Sequence, residues 1–174
     1  YVQSIGWDKN GEPSEFQWPL ACFYQSDGKF ITPRLFAQSF NNYPWIRNIA
    51  AVLLALLESG QIPHYGGGAN LVFHSHIPVE RGLGSSAAIQ ASVARLITGL
   101  FEVECDARKL ARICRKAHVE IMGNEPGLVD HLTCLLGEAD TLLQIRCQPD
   151  LVLGTLPLPK DITFAAVDVG MRLD

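Results

Sequence analysis

Apolar and polar positions follow each other along the chain with different spacings, and each spacing predicts a different kind of element. Apolar side chains dominate residues 44–59 and Gly60 follows them, a pattern typical of a helix that is buried on most sides. The stretch NLVFHSHI, residues 70–77, alternates and therefore predicts a strand. Residues 85–100 repeat apolar positions at helical spacing, and a second such stretch, which we expect Asp106 to cap, runs to about Met122; the two stretches predict two further helices. The inner face of the second carries Leu110, Cys114, Ala117 and Ile121.

The C-terminal part of the chain continues with a turn, a short helix and two strands. The turn is GNEPGLVD, residues 123–130, which is rich in helix breakers. We expect a short helix over residues 131–136, with Gly137 ending it. Residues 141–147 and 162–169 are β-branched or apolar enough to predict strands.

The first 43 residues are harder to assign than the rest. They mix short apolar pieces with turn signals, such as those at residues 8–11, and predict loops and short strands to which we assign no chemistry. Over the whole chain, helices and strands alternate irregularly, which favours an α+β fold over a doubly wound sheet. A length of 174 residues suits one domain. We therefore predict a single α+β domain over residues 1–174.

Composition and charge narrow the classes of partner. Hydrophobic residues make up 48% and charged residues 18% of the chain, as in ordinary globular proteins. A net charge of −4 provides no basic field for nucleic acid or an anionic membrane, so any anion site must be local. The longest apolar run, residues 49–57, is too short to span a bilayer. We expect neither a nucleic-acid partner nor a membrane.

The five cysteines are an odd number and include no CxxC pair, which is typical of reduced thiols in a cytoplasmic protein. We expect Cys114 and Cys134 to be small core residues. His74 and His76 share one face of the predicted strand, an arrangement that suggests zinc. Because no third ligand follows at a recognisable spacing, we favour two half-buried polar side chains.

The stretch PVERGLGSSAA, residues 78–88, combines a strand end, a glycine turn and a helix start. Gly82 and Gly84 allow backbone conformations closed to other residues, and Ser85 and Ser86 are good helix N-cap types. Such a turn can hold an anion at the helix N-terminus. It is not a Walker A loop, because no Lys-Ser or Lys-Thr pair follows the glycines. The plainer alternative is a turn that only begins a helix.

This stretch resembles the phosphate-binding motif of the GHMP small-molecule kinases, P-x-x-x-G-L-G-S-S-A-A, at every fixed position. The resemblance implies the family's N-terminal lobe, with a fold like that of ribosomal protein S5 domain 2. It also implies that the Ser86 hydroxyl ligates Mg²⁺, a hard cation that prefers oxygen. The residues implied to bind the phosphates of ATP are Gly82, Leu83, Gly84, Ser85, Ser86 and Ala87.

A second stretch, GLVDH at residues 127–131, resembles the G-[IV]-M-D-Q sequence of GHMP sugar kinases. The resemblance implies that Asp130 is the base, or the carboxylate that orients the sugar hydroxyl for in-line attack. Taken alone, an Asp before a short helix is as often a cap. His131 stands where the family usually has Gln, which changes the local hydrogen bonding.

The metal shell departs from the family. A gapless alignment places His118 where the family has a Glu that completes the Mg²⁺ shell, and Glu120 follows two residues later. Imidazole is a poor Mg²⁺ ligand, and two residues rotate a helical side chain by about 200°. Either the helix presents Glu120, or water completes the shell, or phosphoryl transfer is impaired.

From about residue 44 onward the chain also resembles plant L-arabinokinases and, less closely, galactokinases. The segments that carry this resemblance are residues 134–152, CLLGEADTLLQIRCQPDLV, and residues 164–172, FAAVDVGMR. It implies a cytoplasmic, ATP- and Mg²⁺-dependent sugar kinase that phosphorylates an anomeric hydroxyl. It also implies that the first motif lies before Tyr1, that the third motif and the C-terminal lobe lie after Asp174, and that this piece alone turns over little.

Two rival functions stay open at this stage. A catalytically silent sugar- or nucleotide-binding module is suggested by His118 and His131, which both replace family residues. A GHMP-fold decarboxylase acting on a phosphorylated acid would also use ATP and an Asp. The arabinokinase-like segments argue against the decarboxylase.

Overall fold

The computed structural model describes residues 1–5, 13–40, 44–63, 68–79, 81–123, 127–168 and 170. The helices are α1 (Pro33–Phe40), α2 (Pro44–Glu58), α3 (Ser85–Leu100), α4 (Ala107–Lys116) and α5 (Val129–Leu136), with a 3₁₀ turn at Leu20–Phe23 and a π-helical turn at Ala117–Ile121. The strands are β1 (Val2–Ile5), β2 (Glu15–Phe16), β3 (Leu71–His74), β4 (Thr141–Cys147) and β5 (Asp150–Pro157).

Helix α2 lies at the centre of the core, as the apolar stretch predicted. Its side chains from Ile49 to Leu57 are buried without interruption, and it packs against α3, α4 and the π-helical turn. The helix ends at Glu58, and Gly60 follows with a φ of +65°, which favours glycine. The position of α2 matters for function because α3, which begins at the glycine turn, rests directly on it.

The strands form two small sheets beside the helices. In the first sheet β1 pairs antiparallel with β2 and parallel with β3, and in the second β4 and β5 form an antiparallel hairpin. Helices and small sheets in this mixture confirm the α+β class. Strand β4 has the predicted bounds, whereas β3 ends at His74 rather than at residue 77.

The strand predicted over residues 162–169 was wrong for its described part. Residues 162–168 adopt no strand, and Phe164 and Val167 are 70% and 83% exposed. An apolar, β-branched stretch forms a strand only where a neighbouring strand pairs with it, and none within the described ranges does so. Val169 lies outside the described residues.

The first 43 residues were predicted to form loops and short strands, but they also contain a helix. Helix α1 begins at Pro33 and buries Phe36 and Phe40, which are four residues apart and therefore share one face. Proline is favoured at the first position of a helix, because its missing N–H has no intrahelical role there. The turn signals at residues 8–11 lie outside the described residues.

The helix predicted over residues 106–122 is divided into α4 and the π-helical turn. Its inner face is confirmed, since the four residues assigned to it are buried. Helix α5 begins at Val129, two residues earlier than predicted, so Asp130 lies inside the helix rather than before it.

The cysteine prediction was half right. All five cysteines are free; Cys114 is buried, as expected, but Cys134 is exposed. Leu132 and Leu135 take the inward face of α5, and Cys134 falls on the outer one. Among the described residues no helix has the length and apolar character needed to cross a membrane.

Candidate functional site

The glycine turn between β3 and α3 has the backbone conformation that its sequence predicts. Gly82 and Gly84 have φ angles of +71° and +70°, in the left-handed region that favours glycine. Gly84 is the N-cap residue of α3. The turn is open to solvent, because Gly82 and Ser86 are exposed and Leu83 keeps 51% of its surface. Glu80, within the same motif, lies outside the described residues.

The N-terminus of α3 presents backbone N–H groups to this open side. The first helical hydrogen bond runs from the N–H of Ala88 to the carbonyl of Gly84, at 2.9 Å. The N–H groups of residues 85–87 precede it and have no partner inside the helix. Helix α3 has the predicted bounds, its N-cap residue is Gly84, and within the described residues no side chain caps it. A helix of 16 residues adds the positive end of its dipole at this point.

The structure brings Asp130 to the same place. A β-carbon built on Gly84 would lie 3.7 Å from Oδ2 of Asp130 and 3.8 Å from its Cγ. The Asp130 side chain is exposed and belongs to the first turn of α5, which packs against α3. The two stretches that the sequence singled out, at residues 78–88 and 127–131, therefore meet at one solvent-facing corner. A carboxylate and a set of backbone N–H groups face the same space.

Behind this corner lies a polar cluster of Asn48, Gln90, His118 and His131, named here the buried polar cluster, in which His118 is half-buried and the other three are buried. Nε2 of His131 lies 2.7 Å from Oε1 of Gln90, and Nδ1 of His118 lies 3.3 Å from the same oxygen. Nε2 of Gln90 donates to Oδ1 of Asn48 at 3.0 Å. Gln90 and His131 are fully buried. The cluster joins α2, α3, α5 and the π-helical turn by hydrogen bonds.

Burial lowers the pKa of both histidines of the cluster and so favours their neutral forms. The pKa of His131 falls from 6.5 to about 4, mainly because the ring is buried and to a smaller extent because of the nearby His118 and Arg115. Burial also lowers the pKa of His118, against the opposing effect of the Asp130 charge. The imidazoles therefore act as hydrogen-bonding groups at neutral pH. Asp130 is close enough to His118 for its charge to be felt there.

Glu120 lies apart from the cluster. Its carboxylate is 60% exposed and lies 3.8 Å from Nζ of Lys116, which also contacts Glu58 at 3.1 Å. His118 is the member of the π-helical turn that faces Gln90. Of the two residues considered for the metal shell, His118 belongs to the polar cluster behind Asp130, whereas Glu120 lies beside Lys116.

His74 and His76 lie next to each other where β3 ends. Their ring centroids are 4.5 Å apart. Half-buried side chains were predicted, but both are exposed, because β3 ends at His74. Within the described ranges no group of three or more His, Cys, Asp or Glu side chains could hold a metal ion.

Two features of the site were missed by sequence reasoning. Arg81, next to the glycine turn, pairs with Asp168 at 3.2 Å, and Asp168 also accepts the N–H of Gly170 at 2.8 Å. No local pattern links residues so distant in the chain. Gln90 did leave a signal, because it is a lone amide within the apolar run AAIQASV on the buried side of α3.

Comparison with known proteins identifies relatives of this arrangement. The sequence model of the family described as the GHMP kinases N-terminal domain matches residues 47–138 of this chain. The chain is 27% identical to an L-arabinokinase of Arabidopsis thaliana over 173 residues, which are 98% of this chain and 17% of that protein. It is 29% identical to a galactokinase of Haemophilus influenzae (strain PittEE) over 134 residues, or 77% of this chain and 34% of the relative.

A further relative is a galactokinase of Roseiflexus sp. (strain RS-1), which is 32% identical over 128 residues, or 74% of this chain and 32% of that protein. The chain thus spans about a third or less of the length of the curated relatives it matches. The family match includes the glycine turn, the buried polar cluster and Asp130.

Proposed function

The chain belongs to the GHMP kinases, and from that premise we propose that it is the nucleotide-binding part of an ATP-dependent sugar kinase. The observation that carries the proposal is the position of the Asp130 carboxylate against Gly84, at the open N-terminus of α3. Phosphate groups bind to N–H groups at helix N-termini, and a carboxylate facing them can receive the acceptor alcohol. A site that combines an anion-binding turn with a carboxylate fits an enzyme that transfers a phosphoryl group better than it fits a protein that only binds an anion.

The residues present fit a triphosphate. The N–H groups of residues 85–87, which have no partner inside the helix, and the left-handed glycines provide a backbone cradle without bulky side chains. Ser86 has an exposed hydroxyl at this turn and would ligate Mg²⁺. Glu120 stays a second candidate ligand from the sequence, but its use would require the carboxylate to leave Lys116. Water and phosphate oxygens would complete the shell.

Asp130 would orient the sugar hydroxyl and accept its proton. ATP, when bound, supplies the phosphoryl group that is transferred. The Asp130 carboxylate is exposed, while its neighbour His131 is fully buried. Positioning and charge stabilisation account for most of the rate enhancement in reactions of this kind, which fits a site with one carboxylate and many N–H donors.

The names of the relatives support a sugar as the acceptor. Galactokinases and an L-arabinokinase are similar to this chain over most of its length, so we propose a galactose- or arabinose-like sugar and its anomeric hydroxyl. A cytoplasmic location is part of the same proposal, because ATP and free sugars are found there together. No nucleic acid or membrane partner is needed for this reaction.

The substitution Asp130→Asn in the full-length protein tests the catalytic role. We expect kcat for sugar phosphorylation to fall by about 100-fold or more, because the amide cannot accept the proton, while ATP still binds. Coupled ADP release gives kcat, and calorimetric titration gives the affinity for ATP. Glu138→Gln, an equally conservative change at an exposed position, is the matched control and should leave both values unchanged. An unchanged kcat in Asp130→Asn would remove Asp130 from the mechanism.

A silent binding module is the second candidate function, because His118 contacts the cluster where the family is expected to present a Glu. Titration of ATP with and without Mg²⁺ separates the two functions. Mg²⁺-dependent binding with sugar-stimulated ADP release supports the kinase. Binding that is independent of Mg²⁺, without product, supports the silent module, and release of CO₂ from a phosphorylated acid would identify a decarboxylase.

A further inference from the structure

The buried amide of Gln90 occupies an unusual place in the core. It is fully buried on α3, between apolar residues that pack against α2 and α5. A buried amide stabilises a fold little more than an apolar side chain of the same size, and it does so only when its polar atoms have partners. A fully paired amide at such a position instead fixes the relative placement of the elements that it joins.

We infer that Gln90 is a positioning residue for Asp130: its amide oxygen holds His131, and through His131 the first turn of α5, in register with the glycine turn. The inference rests on the proposed function for its kinetic consequence. Its structural content is independent of that function, because it concerns only which atoms hold α5 against α3.

The hydrogen bonds fix the direction of the amide. Nε2 of Gln90 donates to Oδ1 of Asn48 at 3.0 Å and lies 3.6 Å from Sδ of Met122, so Oε1 must face the histidines as an acceptor. His131, which is neutral at pH 7, then carries its proton on Nε2 and donates it to Gln90 over 2.7 Å. Its Nδ1 is buried and, among the described residues, has no hydrogen-bond partner. The bond to Gln90 is therefore what holds the imidazole in place.

The Gln90–His131 bond also restricts the position of Asp130, because Asp130 and His131 are neighbours in the chain. Gln90 lies in the second turn of α3, the helix whose N-cap is Gly84, and His131 directly follows Asp130 in the first turn of α5. Asp130 and His131 point in different directions, one towards solvent over Gly84 and one into the core. A shift or rotation of α5 that broke the Gln90–His131 bond would also move the carboxylate relative to the phosphate-binding turn.

A double-mutant cycle in the full-length protein tests the inference. We expect Gln90→Met and His131→Leu each to lower kcat by about 10- to 100-fold with KM for ATP little changed, because a displacement of about 1 Å is enough for such a loss. The double variant should lose no more than either single one, because both remove the same bond. His131→Gln, which can still donate to Oε1, should keep most of kcat.

The control is Ile97→Val, at a fully buried position of the same helix that is not part of the buried polar cluster. It should lower Tm as Gln90→Met does and leave kcat near the wild-type value. If Gln90→Met lowers Tm but not kcat, or if the two losses in the double variant add, Gln90 is only a core residue and the inference fails.

Two measurements decide the structural content without any activity. ¹⁵N NMR of the histidines should show His131 as the neutral tautomer protonated on Nε2, and a proton on Nδ1 would overturn the inference. A crystal structure of Gln90→Met should show the Asp130 carboxylate displaced from Gly84, and an unmoved carboxylate would overturn it. If the wild-type protein phosphorylates no sugar, the proposed function fails, and these two readouts still decide the role of Gln90.

Discussion

Gly84 has a left-handed backbone conformation and lies next to the carboxylate of Asp130. Its φ is +70°, and a β-carbon there would lie at an ordinary contact distance of 3.7 Å from Oδ2 of Asp130. Replacement by alanine would therefore strain the backbone rather than produce a clash. The free-energy penalty for a non-glycine residue in this region is about 1–2 kcal/mol.

We expect Gly84→Ala to lower the free energy of unfolding by about 1 kcal/mol and to weaken ATP binding, because relaxation of the strain would distort the backbone cradle. Urea unfolding and ATP titration measure the two effects. Gly99→Ala is the matched control, since Gly99 lies in the same helix with open space around its β-position. That change should stabilise the protein by about 0.5–1 kcal/mol and leave ATP affinity unaltered. Equal effects of the two substitutions would contradict the assignment of strain to Gly84.

The buried His131 predicts a pH dependence of stability. Its pKa is about 4 in the folded protein and 6.5 when the group is exposed, so between these values the unfolded chain binds more protons than the folded one. The free energy of unfolding should therefore be highest above pH 6.5 and fall as the pH falls towards 4. From pH 7.5 to pH 5 the loss should be about 2 kcal/mol, and His118 adds to it with the same sign.

Urea unfolding at several pH values measures this slope. His131→Gln should remove most of it, and His74→Gln, at an exposed position, should keep the wild-type slope. A slope that survives in His131→Gln would show that other groups cause it.

Among the individual residues, those that belong to local motifs could be predicted from the sequence. The glycine turn adopts its expected backbone, and Asp130 lies beside it, although its catalytic role stays a prediction. Gln90 and the pair Arg81–Asp168 could not be found in the same way, because their partners lie 41 and 87 residues away. A single sequence shows that a buried amide needs a partner but not which residue it meets.

Among the elements, the π-helical turn after α4 decides which side chains reach the cluster. It directs His118 towards Gln90 and leaves Glu120 exposed beside Lys116. The sequence predicted the buried stripe of this helix correctly, since apolar spacing is retained across the junction. It could not predict the change of helix type, because a π-helical turn depends on packing against α1 and α2.

This arrangement predicts unequal roles for the two metal-ligand candidates. We expect Ser86→Ala to raise the Mg²⁺ concentration needed for half-maximal ATP binding by about tenfold, because the only protein oxygen at the glycine turn proposed as a ligand is lost. Glu120→Gln should change it by less than about twofold, because its carboxylate already pairs with Lys116. ATP titrations at increasing Mg²⁺ concentrations measure both values. A large effect of Glu120→Gln would show that this side chain turns towards the metal when nucleotide binds.

The strand predicted over residues 162–168 does not form, which shows where prediction from apolar patterns is wrong. Its residues have strand propensity, but propensity reflects burial against neighbours, and here the side chains are exposed. Helix α1 shows the reverse case, in which two phenylalanines on one face outweigh a stretch rich in turn signals. Helix α2 and strand β4 were predicted well because their own sequences dominate their packing.

In the molecule as a whole, the candidate site lies where three packed helices converge. Helix α2 supports α3, α3 supports α5, and the buried polar cluster bonds all three together. The Arg81–Asp168 ion pair adds a link between the glycine turn and the C-terminal segment. A site built on packed helices holds its groups more accurately than one built on loops, which suits a reaction that depends on positioning.

The central claim is that N–H groups of residues 85–87 and the carboxylate of Asp130 face one bound ATP and one sugar hydroxyl. The most direct measurement is a crystal structure of the full-length protein with Mg²⁺, a non-hydrolysable ATP analogue and galactose or L-arabinose. We expect phosphate oxygens at about 2.9 Å from these nitrogens and the anomeric hydroxyl within hydrogen-bond distance of the Asp130 carboxylate. A triphosphate bound elsewhere, or an Asp130 carboxylate that faces bulk solvent in the complex, would contradict it.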